Sequence, residues 1–286
     1  TLFRSQLWGT QAFGYHLVNV LLHAGAAVML FFILRRWQLA GAWLAAAVFA
    51  VHPIEVESVA WITERKNVLS GLLFLLALWS CLRAFGMDFD RQKPKWGWHL
   101  GAFGLFVGAL LSKTVTCSLP AVLLVLAWWR RDDFLKRLPK LLAWLAPFFV
   151  VGAILALVTV RLEREHVGAI GEEWNYSLVE RVLIAGRCLW FYLGKLVWPQ
   201  PLIFFYERWT IDTGVWWQYL FPVGFAGLLA ALFALRRRIG RGPLAAMLIF
   251  AGVLLPALGF FNVYPHRYSF VADHLQYLGG IAAIVL

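Results

Sequence analysis

The sequence predicts an all-α fold, a polytopic transmembrane helical bundle with interfacial helices on its non-cytoplasmic face. Three observations predict it. Hydrophobic residues make up 62% of the 286 and charged residues only 14%, too little charge to cover a soluble domain. The apolar residues gather in long segments, most approaching the roughly 20 residues a spanning helix needs. Between these segments the cations come in short clusters, the signature of a positive-inside topology. The formal net charge of +11 therefore reports membrane orientation. It does not form a binding stripe, and no nucleic-acid partner is expected.

In order, the apolar segments cover about 13–34, 39–51, 68–85, 96–111, 115–129, 141–160, 179–198, 215–235, 243–261 and 275 onward. Segment 39–51 is short. It spans only where the membrane is locally thin or where its helix carries on into the loop that starts at His52. Gly104 and Gly108 form a GxxxG, read as permitting close helix packing rather than dimerisation. Cys81, Cys117 and Cys188 show no metal or redox spacing, so they are read as packing residues. The chain opens at Thr1 without an initiator methionine and stops within an apolar run. It is read as a single transmembrane domain, 1–286, lacking both ends.

Four cation clusters set the orientation: Arg35 and Arg36; Arg91, Lys93 and Lys95; Arg130, Arg131, Lys136, Arg137 and Lys140; and Arg236, Arg237, Arg238 and Arg241. These loops are assigned to the cytoplasm. Alternation then puts loops 52–67, 161–214 and 262–273, together with the turn at Lys113, on the opposite face. Parity forbids 179–198 from being a lone span in this scheme. Its Arg181, Arg187 and Lys195 agree, since each charge at mid-bilayer costs on the order of 2.5–3.5 kcal/mol. A helix lying in the interface, or dipping back, is expected there. A true span with snorkelling cations and a later topology shift is the alternative.

The loop 52–67 packs His52, Glu55, Glu57, Glu64, Arg65 and Lys66 between two apolar segments, and charges so placed mark a functional site. Val56, Val59, Ala60, Trp61 and Ile62 interleave with them, a pattern of a short amphipathic interfacial helix. An ordinary solvated connection is the alternative. Glu163, Glu165, Glu172, Glu173, Glu207, Asp212 and Asp273 add carboxylates to the same face. A carboxylate there suits general-base work on a hydroxyl, because burial raises its pKa toward working pH. Glu55 and Glu57 diverge on a helix, so one alone would serve as base.

Cations on this face, Arg65, Lys66, Lys113, Arg164, Arg181, Arg187, Lys195 and Arg267, suit a phosphate or diphosphate leaving group. Lys113, alone between two apolar segments, requires a counter-ion or an anionic ligand unless it snorkels to lipid headgroups. In the last loop Asp273, Gln276, Tyr277 and Gly280 follow helical spacing and give the final helix a polar external end. A simple helix N-terminal charge is the other reading of Asp273. Trp198, Tyr206, Trp216 and Trp217 read as an aromatic belt more readily than as a sugar platform. No Walker, Rossmann, HExxH or nucleophile-elbow motif occurs. The acidic residues allow a divalent metal, but no spacing specifies a site.

The stretches HPIEVESVAWITERKNVLSG, LSKTVTCSLPAVLLVLAWW, WFYLGKLVWPQPLIFFY and GFFNVYPHRYSFVADHLQYL together resemble bacterial membrane proteins related to the transmembrane and tetratricopeptide-repeat O-mannosyltransferases, in the GT-C glycosyltransferase superfamily. The resemblance implies a GT-C type helical enzyme of the bacterial inner membrane, its active site facing the periplasm. Such an enzyme moves a sugar from a polyprenyl-phosphate donor to a protein or glycan acceptor, and no nucleotide cofactor is needed. Membrane lipid surrounds it, and a tetratricopeptide region is expected in the full-length chain.

The family's main catalytic acid usually lies in the first external loop. No Asp or Glu precedes Phe13 here, so that residue is expected upstream of Thr1. The resemblance places His52, Glu55 and Glu57 along the site, Arg65 and Lys66 at a charged motif, and Arg267, Tyr268 and Asp273 in the facing late loop. The expected set is thus Glu55, Glu57 and Asp273 as catalytic carboxylates, and Arg65, Lys66, Lys113, Arg164, Lys195 and Arg267 on the donor phosphate. His52, Tyr206, Tyr268, His274 and Tyr277 line the site. Two other classes stay open: a transporter or flippase for a lipid-linked anion, and a non-catalytic module that anchors a tetratricopeptide domain.

Overall fold

The computed structural model describes residues 8–9, 11–91, 93–167, 171 and 174–286. Glu172 and Glu173 lie outside the described residues. The described chain is helical and contains no strand among these residues. Its α-helices are α1 (Ala12–Arg36), α2 (Ala42–Val51), α3 (Val56–Ala60), α4 (Arg65–Phe85), α5 (Trp96–Ser112), α6 (Leu119–Arg130), α7 (Phe134–Leu162), α8 (Leu178–Val197), α9 (Leu220–Ile239), α10 (Gly242–Leu254) and α11 (Tyr277–Ile284). Stretches Ala12–Arg36, Ile62–Phe85, Phe134–His166 and Trp216–Ile239 are long and apolar enough to cross a membrane. The protein is an integral membrane protein with a polytopic helical bundle. Trp96–Ser112, Thr114–Arg130 and Gly242–Ala257 are apolar but shorter.

Segment 39–51 behaves as its length requires. Helix α2 stops at His52, whose extended backbone (ψ 128°) is what a following proline imposes. The chain continues through a 3₁₀ turn, Pro53–Glu55, into α3, bent by 47° from α2. The bend turns the charged half of the segment away from the apolar half. The GxxxG differs from its expected role. A Cβ on Gly104 would meet nothing within 4 Å, and one on Gly108 only Leu73 Cδ1 at 3.5 Å. Neither glycine therefore sits where a close helix approach depends on it.

Two apolar cores hold the bundle. One joins α1, α4, α5, α6 and α7 around Phe74, Phe106, Leu123 and Phe148. The other joins α8, α9, α10 and the last loop around Tyr192, Phe250 and Phe270. Helix α8 begins with a capping box: Ser177 N–H donates to Glu180 Oε2 at 2.7 Å, and Glu180 N–H to Ser177 Oγ at 3.3 Å, satisfying two otherwise unpaired donors. Arg181 then donates to Gly259 O, Trp174 O and Asn262 Oδ1 at 2.7–3.1 Å. At the other end of α8, His52 Nε2 lies 3.0 Å from Leu196 O. Twenty residues of α-helix span about 30 Å. Both ends of α8 therefore touch loops that the charge pattern assigns to a single face.

Candidate active site

The site is built where the 52–67 loop, the Lys113 turn, the end of α8 and the last loop meet. His52 braces it. Its Nδ1 accepts from Ile54 N–H at 3.2 Å, so the proton sits on Nε2 and points at α8. The following residues alternate sharply. Glu55 is 3% exposed and its Oε1 has no partner. Burial first, and the neighbouring Asp273 second, push its carboxyl well above the usual range, which suits Glu55 to donate a hydrogen bond rather than take a proton. Glu57 diverges from it, as helical spacing requires, and turns to the last loop.

There Glu57 Oε2 accepts the backbone N–H of His274 at 2.8 Å, while Oε1 lies 2.9 Å from His274 Nδ1, an ion-pair distance at an angle outside that of a hydrogen bond. A small rotation of the ring would bring Nδ1–H onto this carboxylate, which would hold the proton on Nδ1 and leave Nε2 free to accept one. Asn67 ties this pair to the rest of the site. Its amide donates to Ser58 Oγ at 2.8 Å and to His274 O at 2.6 Å, and its Oδ1 accepts from Lys113 Nζ at 2.8 Å. Lys113 also meets Glu64, at 3.6 Å, and Lys66 meets Glu64 at 3.0 Å. The counter-ion that Lys113 requires is thus Glu64, a carboxylate buried to 1% exposure beneath two cations. Burial lowers the Lys113 ammonium to about 8, against the opposing pull of Glu64.

Asp273 forms the second polar group. The Tyr206 hydroxyl lies 2.9 and 3.0 Å from its two oxygens and 3.0 Å from Pro201 O, and Lys195 Nζ also donates to Pro201 O. Burial raises the Asp273 carboxyl to about 6; Glu57 adds to the rise, while Tyr206, Lys195 and His274 oppose it. Of the four aromatics read as a belt, Trp198, Trp216 and Trp217 are exposed. Tyr206 is buried, because its hydroxyl finds a buried carboxylate. The polar end expected for the last helix is a 3₁₀ turn, Asp273–Gln276, leading into α11. Gln276 is fully buried and neither of its amide atoms has a partner. Tyr277 faces away from Asp273, its hydroxyl 2.9 Å from His23 Nδ1.

The remaining expected residues lie apart from this cluster or take other contacts. Arg65 turns to α1, donating to Asn19 Oδ1 at 3.0 Å and Tyr15 O at 3.3 Å. Arg164 is exposed in a π-turn, Glu163–Val167, where Glu163 Oε2 accepts the Tyr264 N–H at 3.0 Å. Arg267 and Tyr268 are exposed on the last loop, the Tyr268 ring 5.5 Å from that of Phe205. Arg187 lies 4.3 Å over the Trp209 ring, and Arg181 is spent on the loop carbonyls. Among the described residues, no three His, Cys, Asp or Glu side chains converge on a metal position. An apolar cavity of about 230 Å³, lined by residues such as Leu78, Trp129 and Ile249, includes none of the polar cluster.

Sequence reasoning left out Asn67, Ser58 and the anchoring role of Glu64. Glu64, Asn67 and Gly71 recur at i, i+3 and i+7, which places two polar side chains and a gap on one face of the helix. That spacing was the available signal.

Over 121 residues the chain is 36% identical to the human protein O-mannosyl-transferase TMTC4, covering 36% of this chain and 16% of that protein. The chain is related to the TMTC O-mannosyl-transferases. It is 42% identical over 103 residues to human protein O-mannosyl-transferase TMTC2, and 36% identical over 107 residues to Tmtc1 of Drosophila melanogaster. These matches cover 12% of each relative, so the chain spans well under a fifth of the curated relatives it matches. No family model matches the chain, and no solved structure does.

Proposed function

We propose that the chain is the membrane domain of a glycosyltransferase that moves a sugar from a polyprenyl-phosphate donor to a protein hydroxyl. Mannose is the sugar in the relatives' names. The setting is the bacterial inner membrane, with the site toward the periplasm and α8 lying along that surface. One observation carries the reading. Four separated segments converge to place the Glu57–His274 pair beside Lys113, Lys66 and the Asp273–Tyr206 pair.

In this reading the acceptor oxygen attacks the sugar's anomeric carbon as the bond to the lipid phosphate breaks, and the electron pair leaves on the phosphate. His274 Nε2 takes the acceptor proton, with Glu57 holding the ring. Ionised Asp273 favours the imidazolium that forms. Lys113 and Lys66 receive the phosphate charge.

The full-length protein, reconstituted in liposomes and given labelled polyprenyl-phosphate sugars with peptide acceptors, is expected to glycosylate the peptide. Donor that crosses the bilayer without transfer, or stays unused, would contradict the proposal. The pH dependence is specific too. Asp273 is neutral below about 6, so kcat/KM rises with pH through that value. Lys113 loses its charge above about 8, so the rate falls again there. Lys113→Arg keeps a cation at all working pH and is expected to remove the upper limb alone; an unchanged upper limb would take Lys113 out of the site.

A further inference from the structure

We infer that the cation-rich face opposite the proposed active site carries a binding site for one anionic phospholipid, in the cleft between the end of α4, the 86–95 loop, the end of α6 and the start of α7. Its rim holds Arg91, Arg131, Arg137 and Lys140, and its interior is apolar, with Phe89, Phe134 and Trp144 among the lining residues.

The charges do not cancel. Asp133 Oδ1 accepts from Arg131 Nε at 2.7 Å and Asp133 Oδ2 from Arg137 Nε at 2.6 Å, one carboxylate shared between two guanidinium groups. Arg130 is matched by Asp88 at 2.5 Å, and Asp90 adds one further negative charge nearby. Arg91, Arg130, Arg131, Arg137 and Lys140 therefore face three carboxylates, a surplus of two positive charges. The arginines are also held in place. Arg137 Nη1 donates to Asp90 O at 3.0 Å, and Arg91 Nη1 to Arg83 O and Ala84 O at the end of α4. These bonds fix each guanidinium group while leaving further N–H groups for an anion.

A soluble anion would use the cations and waste the apolar interior. A phospholipid uses both: its phosphate meets the rim and its chains follow the apolar surface. Trp96 extends that surface, 60% exposed with its ring 5.2 Å from that of Trp144. This face carries the positive-inside clusters, so the cleft opens to the leaflet whose surface is negatively charged.

The test is native mass spectrometry of the full-length protein in detergent, titrated with phosphatidylglycerol, phosphatidylcholine or inorganic phosphate. Phosphatidylglycerol is expected to bind with preference over phosphatidylcholine, and inorganic phosphate not to displace it. Each cation near a charged lipid contributes about fivefold, so Arg91→Gln with Lys140→Gln is expected to weaken phosphatidylglycerol about 30-fold. Melting temperature in phosphatidylcholine micelles checks that the double variant stays folded, and Lys140→Gln alone, which leaves the α4 carbonyl bonds intact, should lose about fivefold. Equal binding of the two lipids, an undiminished variant, or displacement by inorganic phosphate would each overturn the lipid site.

Discussion

Glu57→Gln and His274→Ala are each expected to slow sugar transfer by about 10²- to 10⁴-fold, the range a positioned general base contributes. The double variant should be no slower than the slower single. The geometry sets this second expectation. Glu57 acts through the 2.9 Å contact to His274 Nδ1, so a ring without its carboxylate and a carboxylate without its ring are nearly the same loss. The fold should tolerate both changes. The backbone N–H at position 274 still reaches the Glu57 carboxylate in His274→Ala, and in Glu57→Gln the new side-chain amide still offers that N–H an oxygen. Multiplicative losses in the double variant, measured as single-turnover rates, would show that the two residues act independently.

Gly71→Ala is expected to destabilise the bundle by about 1–3 kcal/mol, the usual cost of overfilling a packed core. An added Cβ would lie 2.4 Å from Tyr277 Cε1. The ring cannot withdraw: its hydroxyl is held by His23 at 2.9 Å, and its face packs on Phe49 with centroids 5.5 Å apart. Tyr277 directly follows the turn that carries Asp273 and His274, so pushing it also moves the site. Melting of the detergent-solubilised protein reads the effect, with Gly104→Ala as the control because its Cβ would meet nothing within 4 Å. Equal melting temperatures for the two variants would contradict the packing account.

Much of the architecture was legible because membrane constraints act on composition. Charge clusters marked one set of loops, apolar length marked the four helices long enough to span together with several shorter ones, and the shortness of segment 39–51 marked it as unlike its neighbours. The divergence of Glu55 and Glu57 followed from helical spacing, and the structure sends one into the core and the other to His274. What stayed hidden were pairings across long sequence separations. Nothing local to Tyr206 shows that a carboxylate 67 residues away would bury it, so an aromatic belt was the better reading of that residue by pattern alone. Asn67 carries no charge and sits in an apolar helix, so its three hydrogen bonds appear only when the last loop and the Lys113 turn fold against it. Arg65 looked equal to Lys66 as a phosphate ligand, yet helix rotation aims it at Asn19 and Tyr15.

The most direct test of the account is single-turnover transfer from a labelled polyprenyl-phosphate sugar by the full-length protein in liposomes, with wild type and Glu57→Gln measured beside donor binding. Glu57→Gln is expected to bind the donor as wild type does and to transfer its sugar at least about 10²-fold more slowly. Transfer at the wild-type rate in that variant would contradict it.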